Sequence, residues 1–367
     1  MRLRLLNHPI TKATARKKRA RPRQYAFAVQ QALVTCWRAA NGICSKRLVP
    51  YLPELVRVLE QYGELHLEAQ TKARLLALSP ATADRLLQAE RKRAKPHGLG
   101  TTKPGTLLKS AIPIRTFAEW DEAEPGFTEI DLVVHCGSTT RGECLYSLTV
   151  TDVATGWTEC VALRNRGQQT VFQALLLARG RLPFPLRGID SDNGSEFINA
   201  HLLRYCQEEQ ITFTRSRPYR KNDSCYVEQK NYSVVRRAVG YARYDTPEQL
   251  RLLNALYSQL RLYTNYFQPV MKLISKERHG AKVKKQYDAP KTPYQRLLSA
   301  PTVAAKLKRQ LKQEYAGLNP AQLKREITRL QRKLFKLSPG NRIDRRARTD
   351  GSTKQRPQGR ESINNSE

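Results

Sequence analysis

The sequence predicts an α/β protein, a mixed-sheet core flanked by a helical N-terminal region and a basic C-terminal region. Three observations carry this. From about 115 to 267 the apolar pattern gives three successive strands and then alternates helix with strand. Before it, residues 26–93 repeat apolar residues at three- and four-residue spacing, the period of helices packed on one face. Charge is also segregated. Residues 1–110 carry 22 basic and 6 acidic residues, residues 111–245 carry 16 and 17, and residues 246–367 carry 27 and 9. Two basic flanks thus enclose a nearly neutral middle.

With 367 residues and 40% hydrophobic content, the chain can bury two or three cores. The pattern divides it into a basic arm (1–25), a helical DNA-binding region (26–93), a linker (94–114), the core (115–267), a basic C-terminal DNA-binding region (268–337) and a tail (338–367). In the arm, "KATARKKRARPR" packs seven basic residues into 12–23. It reads either as a solvated arm or as one that tracks a DNA groove, with Arg21 and Arg23 flanking a proline like a minor-groove hook. Next, "AFAVQQALVTCWRAA" and "LPELVRVLEQYGEL" read as helices. In "LSPATADRLLQAERKR", Ser79 can cap, Pro80 suits the first helical position, and Thr82 and Arg85 share a face. A helix, a short turn and a capped second helix fit a helix-turn-helix reader or a plain helical hairpin equally well. The Gly-, Pro-, Thr- and Lys-rich stretch 94–113 is the linker.

The core reads as strands in "GFTEIDLVVHCG", "CLYSLTVTDVATG" and "WTECVALRN", the last two meeting in a hairpin at "ATG". There follow a helix in "QQTVFQALLLARGRL", a short strand in "LRGIDSD", a helix in "EFINAHLLRYCQEE" and a strand in "ITFTRSRP". Helices close it in "VEQKNYSVVRRAVGYARY" and in "TPEQLRLLNALYSQLRLYTNYF", where Thr246 caps and Pro247 opens. Beyond 268 the pattern allows a small β-rich module or an extended DNA-tracking segment, then a basic helix in "NPAQLKREITRLQRKLFKL". Residues 338–367 hold too few apolar residues to fold.

Composition excludes several classes. No apolar run approaches the roughly 18–20 residues of a membrane span, and the N-terminus lacks a signal peptide's apolar core. The seven cysteines are odd in number and form no CxxC pair, which argues against a disulfide framework and a structural zinc site. The chain therefore reads as soluble and cytoplasmic, associated with the nucleoid. A net charge of +33 makes nucleic acid the leading partner, since lysines and arginines that neutralise phosphates release condensed counterions.

Three acids stand where an open α/β sheet places ligands, at strand ends and helix starts near one edge. Asp131 lies in the first core strand, Asp192 ends the fourth, and Glu228 opens a helix. Oxygen ligands without His or Cys favour Mg²⁺ or Mn²⁺, and two such ions bridged by carboxylates suit phosphodiester chemistry. The other acids have plainer readings: Asp190 as a strand residue, Glu196 as a first-turn helix carboxylate, Asp152 and Asp223 as turn residues.

Asp192 and Glu228 are 36 positions apart, with 35 residues between. With "SDNGSEF" around the one and "RPYRKNDSCYVEQKN" leading to the other, the chain resembles the D,D(35)E family of retroviral integrases and bacterial insertion-sequence transposases. The resemblance covers about 120–267 and extends to "KTPYQRLL" in the transposase branch. It implies an RNase H-like core in which Asp131, Asp192 and Glu228 are catalytic and hold two Mg²⁺ (or Mn²⁺) ions. The implied activity is cleavage at element ends and strand transfer into target DNA, by a homo-oligomer assembled on DNA. Lys230, Asn231, Tyr232, Arg236 and Arg237 become candidate DNA contacts, beside Arg21, Arg23, Thr82 and Arg85. The chain departs from retroviral integrases in lacking their His/Cys zinc module. Its opening "MRLRLLNHP" reads like the end of a helix whose beginning is missing, as in a truncated copy. Two other readings stay open: a DNA-binding regulator or inactive remnant, and a structure-selective nuclease of the same fold.

Overall fold

The computed structural model describes residues 25, 27–92, 124–216, 225–279 and 282–338. The basic arm with Arg21 and Arg23, the chain start, the whole linker, the loop containing Asp223 and the tail after 338 lie outside the described residues.

The N-terminal helices are α1 (Phe27–Ala39), α2 (Ser45–Gln61), α3 (Ala69–Leu76), α4 (Pro80–Leu86) and α5 (Gln88–Lys92). Their core is built from the periodic apolar positions: Leu33, Leu48, Leu52 and Leu55 are fully buried beside Trp37. Ser79 caps α4 as expected, its hydroxyl accepting the Thr82 N–H at 3.2 Å. The single helix read through 79–93 is in fact two. α4 stops at Leu86, Leu87 drops into the core, and α5 is drawn back by Arg91, which bonds Ser45 at 2.9 Å and Asp84 at 2.6 Å.

The core sheet has five strands: β1 (Phe127–Val134), β2 (Tyr146–Asp152), β3 (Thr158–Leu163), β4 (Gly188–Ser191) and β5 (Thr212–Arg215), in the order β3-β2-β1-β4-β5. β1 to β3 form an antiparallel meander, whereas β4 and β5 run parallel to β1. Asp152 organises the β2–β3 turn, accepting the Thr155 N–H at 2.8 Å and its hydroxyl at 2.6 Å. This is the turn role expected of it. Helices α6 (Gln168–Arg179) and α7 (Ala200–Glu208) cover one face, packing on Ile130, Leu148, Val161 and Ile189. The other face carries α8 (Cys225–Lys230), a π-helical turn (Asn231–Arg236), α9 (Arg237–Val239) and the long α10 (Pro247–Phe267).

α10 also closes the sheet edge. Asn265 accepts the Thr158 N–H at 2.8 Å and donates to the Thr158 carbonyl at 3.0 Å. Asn254 does the same for Ala162, at 2.9 and 3.2 Å. These amides occupy backbone groups that an edge strand otherwise leaves open to another chain.

Beyond α10, the segment left open between a β module and an extended strap contains a β-hairpin, β6 (Leu273–His279) with β7 (Lys282–Tyr287). Helices α11 (Pro293–Ser299), α12 (Ala305–Ala316) and α13 (Pro320–Lys336) follow. α13 buries Leu323, Ile327, Leu330 and Leu334, one helical stripe, in the core that α10 shares. This region also clasps the N-terminal helices. Arg325 and Asn319 bond Glu64, while Tyr315 and Gln295 bond Glu54.

Candidate active site

Alternation along β1 sorts its side chains. Ile130 joins the core under α6, while Val133 joins the core under α10. Glu129 and Asp131 therefore lie on the α10 face. On β4, Ile189 belongs to the α6 core, which sends Asp190 and, just past the strand end, Asp192 to the same face as Asp131. The parallel register pairs Glu129 with Asp190 and Ile130 with Ser191. One further step sets Asp131 beside Asp192, on strands about 4.8 Å apart. Two rows of acids result, an inner row of Glu129 and Asp190 and an outer row of Asp131 and Asp192.

The turn after β4 fixes Asp192. Its Oδ1 accepts the Gly194 N–H at 2.9 Å. A Cβ at position 194 would meet the Glu196 carboxyl carbon at 2.7 Å, so a larger residue there would displace the Glu196 side chain. Asn193 ties the turn to β5, donating to the Ser216 carbonyl at 2.8 Å and accepting from Arg215 at 3.1 Å. Glu196 is not a first-turn helix residue: α7 begins at Ala200, because Asn199 caps it through the Leu202 N–H at 2.9 Å. Glu196 instead lies buried in the turn, where desolvation raises its carboxyl and the Asp192 charge adds to the effect.

Two bonds lay α8 across β1. Glu129 Oε2 accepts the Val227 N–H at 2.7 Å, and Asn231 Nδ2 donates to Asp131 Oδ2 at 2.5 Å. Glu228 sits between these anchors, exposed. The electrostatics follow. Burial first, then the charge of Asp192, raises Asp131 to about 7. The Leu132 N–H and the Asn231 amide oppose this, and Glu228 adds to it. Burial likewise raises Asp192, against the Gly194 N–H. Glu129 is pushed well above the usual carboxylate range, first by burial, and the charges of Asp190 and Glu228 act in the same direction.

The site suits a hard cation. Its donors are oxygens, its carboxylates repel one another, and among the described residues Asn231 Oδ1 is buried without a hydrogen-bond partner beside Asp131. Among the described residues, no three His, Cys, Asp or Glu side chains already form an ion-binding group. The pair from the sheet is assembled, whereas Glu228 reaches out from its helix.

The remaining candidates separate. Lys230 is buried, and burial together with the charges of Arg47 and Arg296 lowers its amine to about 8. Asn231 does not share an outward face with Tyr232. The helix widens into a π turn at Asn231, which buries Val234 and Val235 together, turns Asn231 to Asp131 and leaves Tyr232 53% exposed. Arg236 is not a solvated helix residue: it donates to the Val134 carbonyl at 2.8 Å and lies over the Tyr241 ring. Arg237 bonds the Asn41 carbonyl at 2.6 Å. Thr82 is half-buried and bonded to Ser79, and Arg85 is exposed and bonded to Thr82 at 3.0 Å. Asp190 lies in its strand as expected, whereas sequence reasoning missed Glu129, yet a signal was there. "EID" and "DSD" each repeat an acid at two-residue spacing, which puts both acids of a strand on one face.

Residues 121–221 match the integrase core domain family. The chain is 43% identical over 278 residues to the uncharacterized protein y4rM of Sinorhizobium fredii, covering 75% of this chain and 79% of that one. Among solved structures it is similar to the catalytic core domain of BIV integrase, at TM-score 0.31 and 18% identity, over 46% of this chain and 91% of that one. It is also similar to a chain of the simian T-cell lymphotropic virus intasome, at TM-score 0.35 and 17% identity, over 65% and 73% of the two chains. The chain is thus of one family with y4rM, and through its integrase core domain it belongs to the DDE transposase/integrase superfamily.

Proposed function

We propose that the protein is the transposase of a bacterial insertion sequence, cutting DNA at element ends and joining them to a target. The observation that carries this is the double anchoring of α8: Val227 on Glu129 and Asn231 on Asp131 bracket Glu228 beside the Asp131–Asp192 pair. This supports a site in which Glu228 turns in to join the Asp131–Asp192 pair around one phosphodiester.

On this reading Asp131, Asp192 and Glu228 hold two Mg²⁺ or Mn²⁺ ions. Their chemistry there is to offset charge on the phosphate and to ease deprotonation of the attacking hydroxyl. The protein's own part is placement. Asn231 orients Asp131, the Gly194 N–H orients Asp192, and Glu129 holds the Glu228 helix at its height above the sheet. Substrates are element ends and target DNA, held by several copies assembled on paired ends. The N-terminal helices, with Arg85 exposed, serve as end readers. No described helix is long and apolar enough to cross a membrane.

The exposure of Glu228 favours one alternative, a remnant that binds DNA without cutting it. A strand-transfer assay with Mg²⁺ and the element's terminal repeats separates the two. The wild type is expected to join ends, while Asp192→Asn and Glu228→Gln bind but do not join. Full activity in Glu228→Gln would refute the assignment.

A further inference from the structure

Beside the acidic centre, on the same sheet face, lies a cavity of about 320 Å³ between α8, the β2–β3 turn and the β6–β7 hairpin. Its walls include Lys230, Lys272, Lys285, Tyr226, Tyr287 and Thr151, and among the described residues no carboxylate lines it. Thr151 pairs with Glu129 across the β1–β2 ladder, and Thr149 pairs with Asp131. The cavity therefore begins two strand residues from Asp131, about 7 Å along the sheet.

Lys230 is the unusual group. Its side chain is 95% buried, its relative exposure being 5%. Among the described residues its ammonium makes no hydrogen bond or ion pair. The charges that act on it from neighbouring elements are cationic, Arg47 of α2 and Arg296 of α11, since burial keeps the nearby Cys160 a neutral thiol. Arg296 is committed to Asp288 at 2.7 Å, and Lys272 donates to the Ala154 carbonyl at 3.0 Å, with the Asp152 and Asp288 charges acting on it. A buried ammonium among cations is costly unless an anion joins it. Tyr226 and Tyr287 add aromatic rings to the same cavity. Amines plus aromatic rings, without acids, suit a phosphate attached to a base.

We infer that the cavity is a nucleotide pocket, which takes one nucleotide of the DNA strand passing the acidic centre. Lys230 and Lys285 bind its phosphate, and Tyr226 and Tyr287 stack on its base. The inference rests on the transposase reading. It adds to that reading a grip on the strand about two residues' length from the three acids, on the helix that carries Glu228.

The test uses the full chain and a fluorescein-labelled 20-nucleotide oligothymidylate, with binding read by anisotropy across a salt series. Lys230→Met is expected to lower affinity about 10-fold near 0.1 M salt and to reduce the slope of log K against log salt by about 0.7. Tyr287→Ala, at a side chain 45% exposed and so safe for folding, is expected to weaken binding about 5- to 100-fold. If Lys230→Met does not fold, Lys285→Ala on the exposed hairpin carries the salt test instead. An oligothymidylate bearing 5-iododeoxyuridine is expected to photocrosslink to Tyr226 or Tyr287, and thymidine monophosphate at equal nucleotide concentration is expected not to displace it. Displacement by the free nucleotide would assign the pocket to a soluble ligand and overturn the strand reading. If the wild type binds and joins DNA while these variants keep its affinity and salt slope, the pocket alone is wrong. If the wild type neither binds nor cuts DNA, the transposase reading falls, and this inference with it.

Discussion

Asn231 and Asp131 stand 100 residues apart in the chain, and the amide of one donates to the carboxylate of the other at 2.5 Å. That bond fixes the orientation of Asp131 and leaves the buried Asn231 Oδ1 beside it without a partner among the described residues. Asn231→Ala is expected to slow strand transfer about 10–100-fold, the usual cost of losing a group that orients a ligand. The Mg²⁺ needed for half-maximal rate should rise with it. An unchanged Mg²⁺ dependence would mean that Asn231 does not act through Asp131.

Glu129 is the second strap. Its carboxylate accepts the Val227 N–H at the start of the helix that bears Glu228. Glu129→Leu leaves that buried N–H without an acceptor, at about 1–3 kcal/mol, and should lose strand transfer as well as stability. Glu129→Gln keeps an acceptor oxygen and should retain much of both. Denaturant unfolding and rate assays on the two variants check this, and equal behaviour of the two would count against the strap.

The contact between Glu64 and Arg325 links the N-terminal helices to α13. Hydrogen bonds from Arg325 and then Asn319 lower the Glu64 carboxyl from 4.5 to about 2. A depressed carboxyl contributes stability that is fully present above its unfolded value and is lost as pH falls through the folded one. The window is therefore pH 4.5 down to about 2. Arg325 is exposed although Glu64 is half-buried, so solvent screens the pair and its worth stays below about 1 kcal/mol. Wild type and Glu64→Gln should differ at neutral pH and converge near pH 2 in unfolding experiments. A gap that persists in acid would place the effect elsewhere.

Asn265 pairs with both backbone groups of Thr158 on the edge strand, and it is fully buried. Asn265→Ala is expected to cost about 1–3 kcal/mol for each group left unpaired and to open β3 to pairing with other chains. Unfolding and light scattering at rising concentration would check both. A monodisperse variant of wild-type stability would contradict this.

Much of the core was legible in the sequence, because period-two and period-3.6 patterns report which side of an element is buried. All five strands appear where the pattern put them, and Ser79 and Thr246 each cap a helix with the proline following, as expected. Of the three acids, Asp131 was placed by alternation, Asp192 by its strand end and Glu228 by its helix start, and the spacing of the last two singled them out. The side chain of Glu228 is the one of the three that the fold leaves exposed.

What the sequence could not carry depends on contacts between distant elements. Nothing local turns Asn231 inward. It takes a π turn packed on Val234 and Val235, and a strand end waiting below. Arg236 looks like a surface cation in its own helix, yet the Val134 carbonyl and the Tyr241 ring claim it. Lys230 likewise becomes unusual only once α2, α11 and the hairpin close around it. The sequence by itself determined the elements, their buried faces and the acids on them, since those follow from periodicity and turn chemistry along one chain. Only the tertiary structure decided which polar side chains are spent inside and which remain for a ligand, because burial and hydrogen-bond partners are properties of the assembled elements.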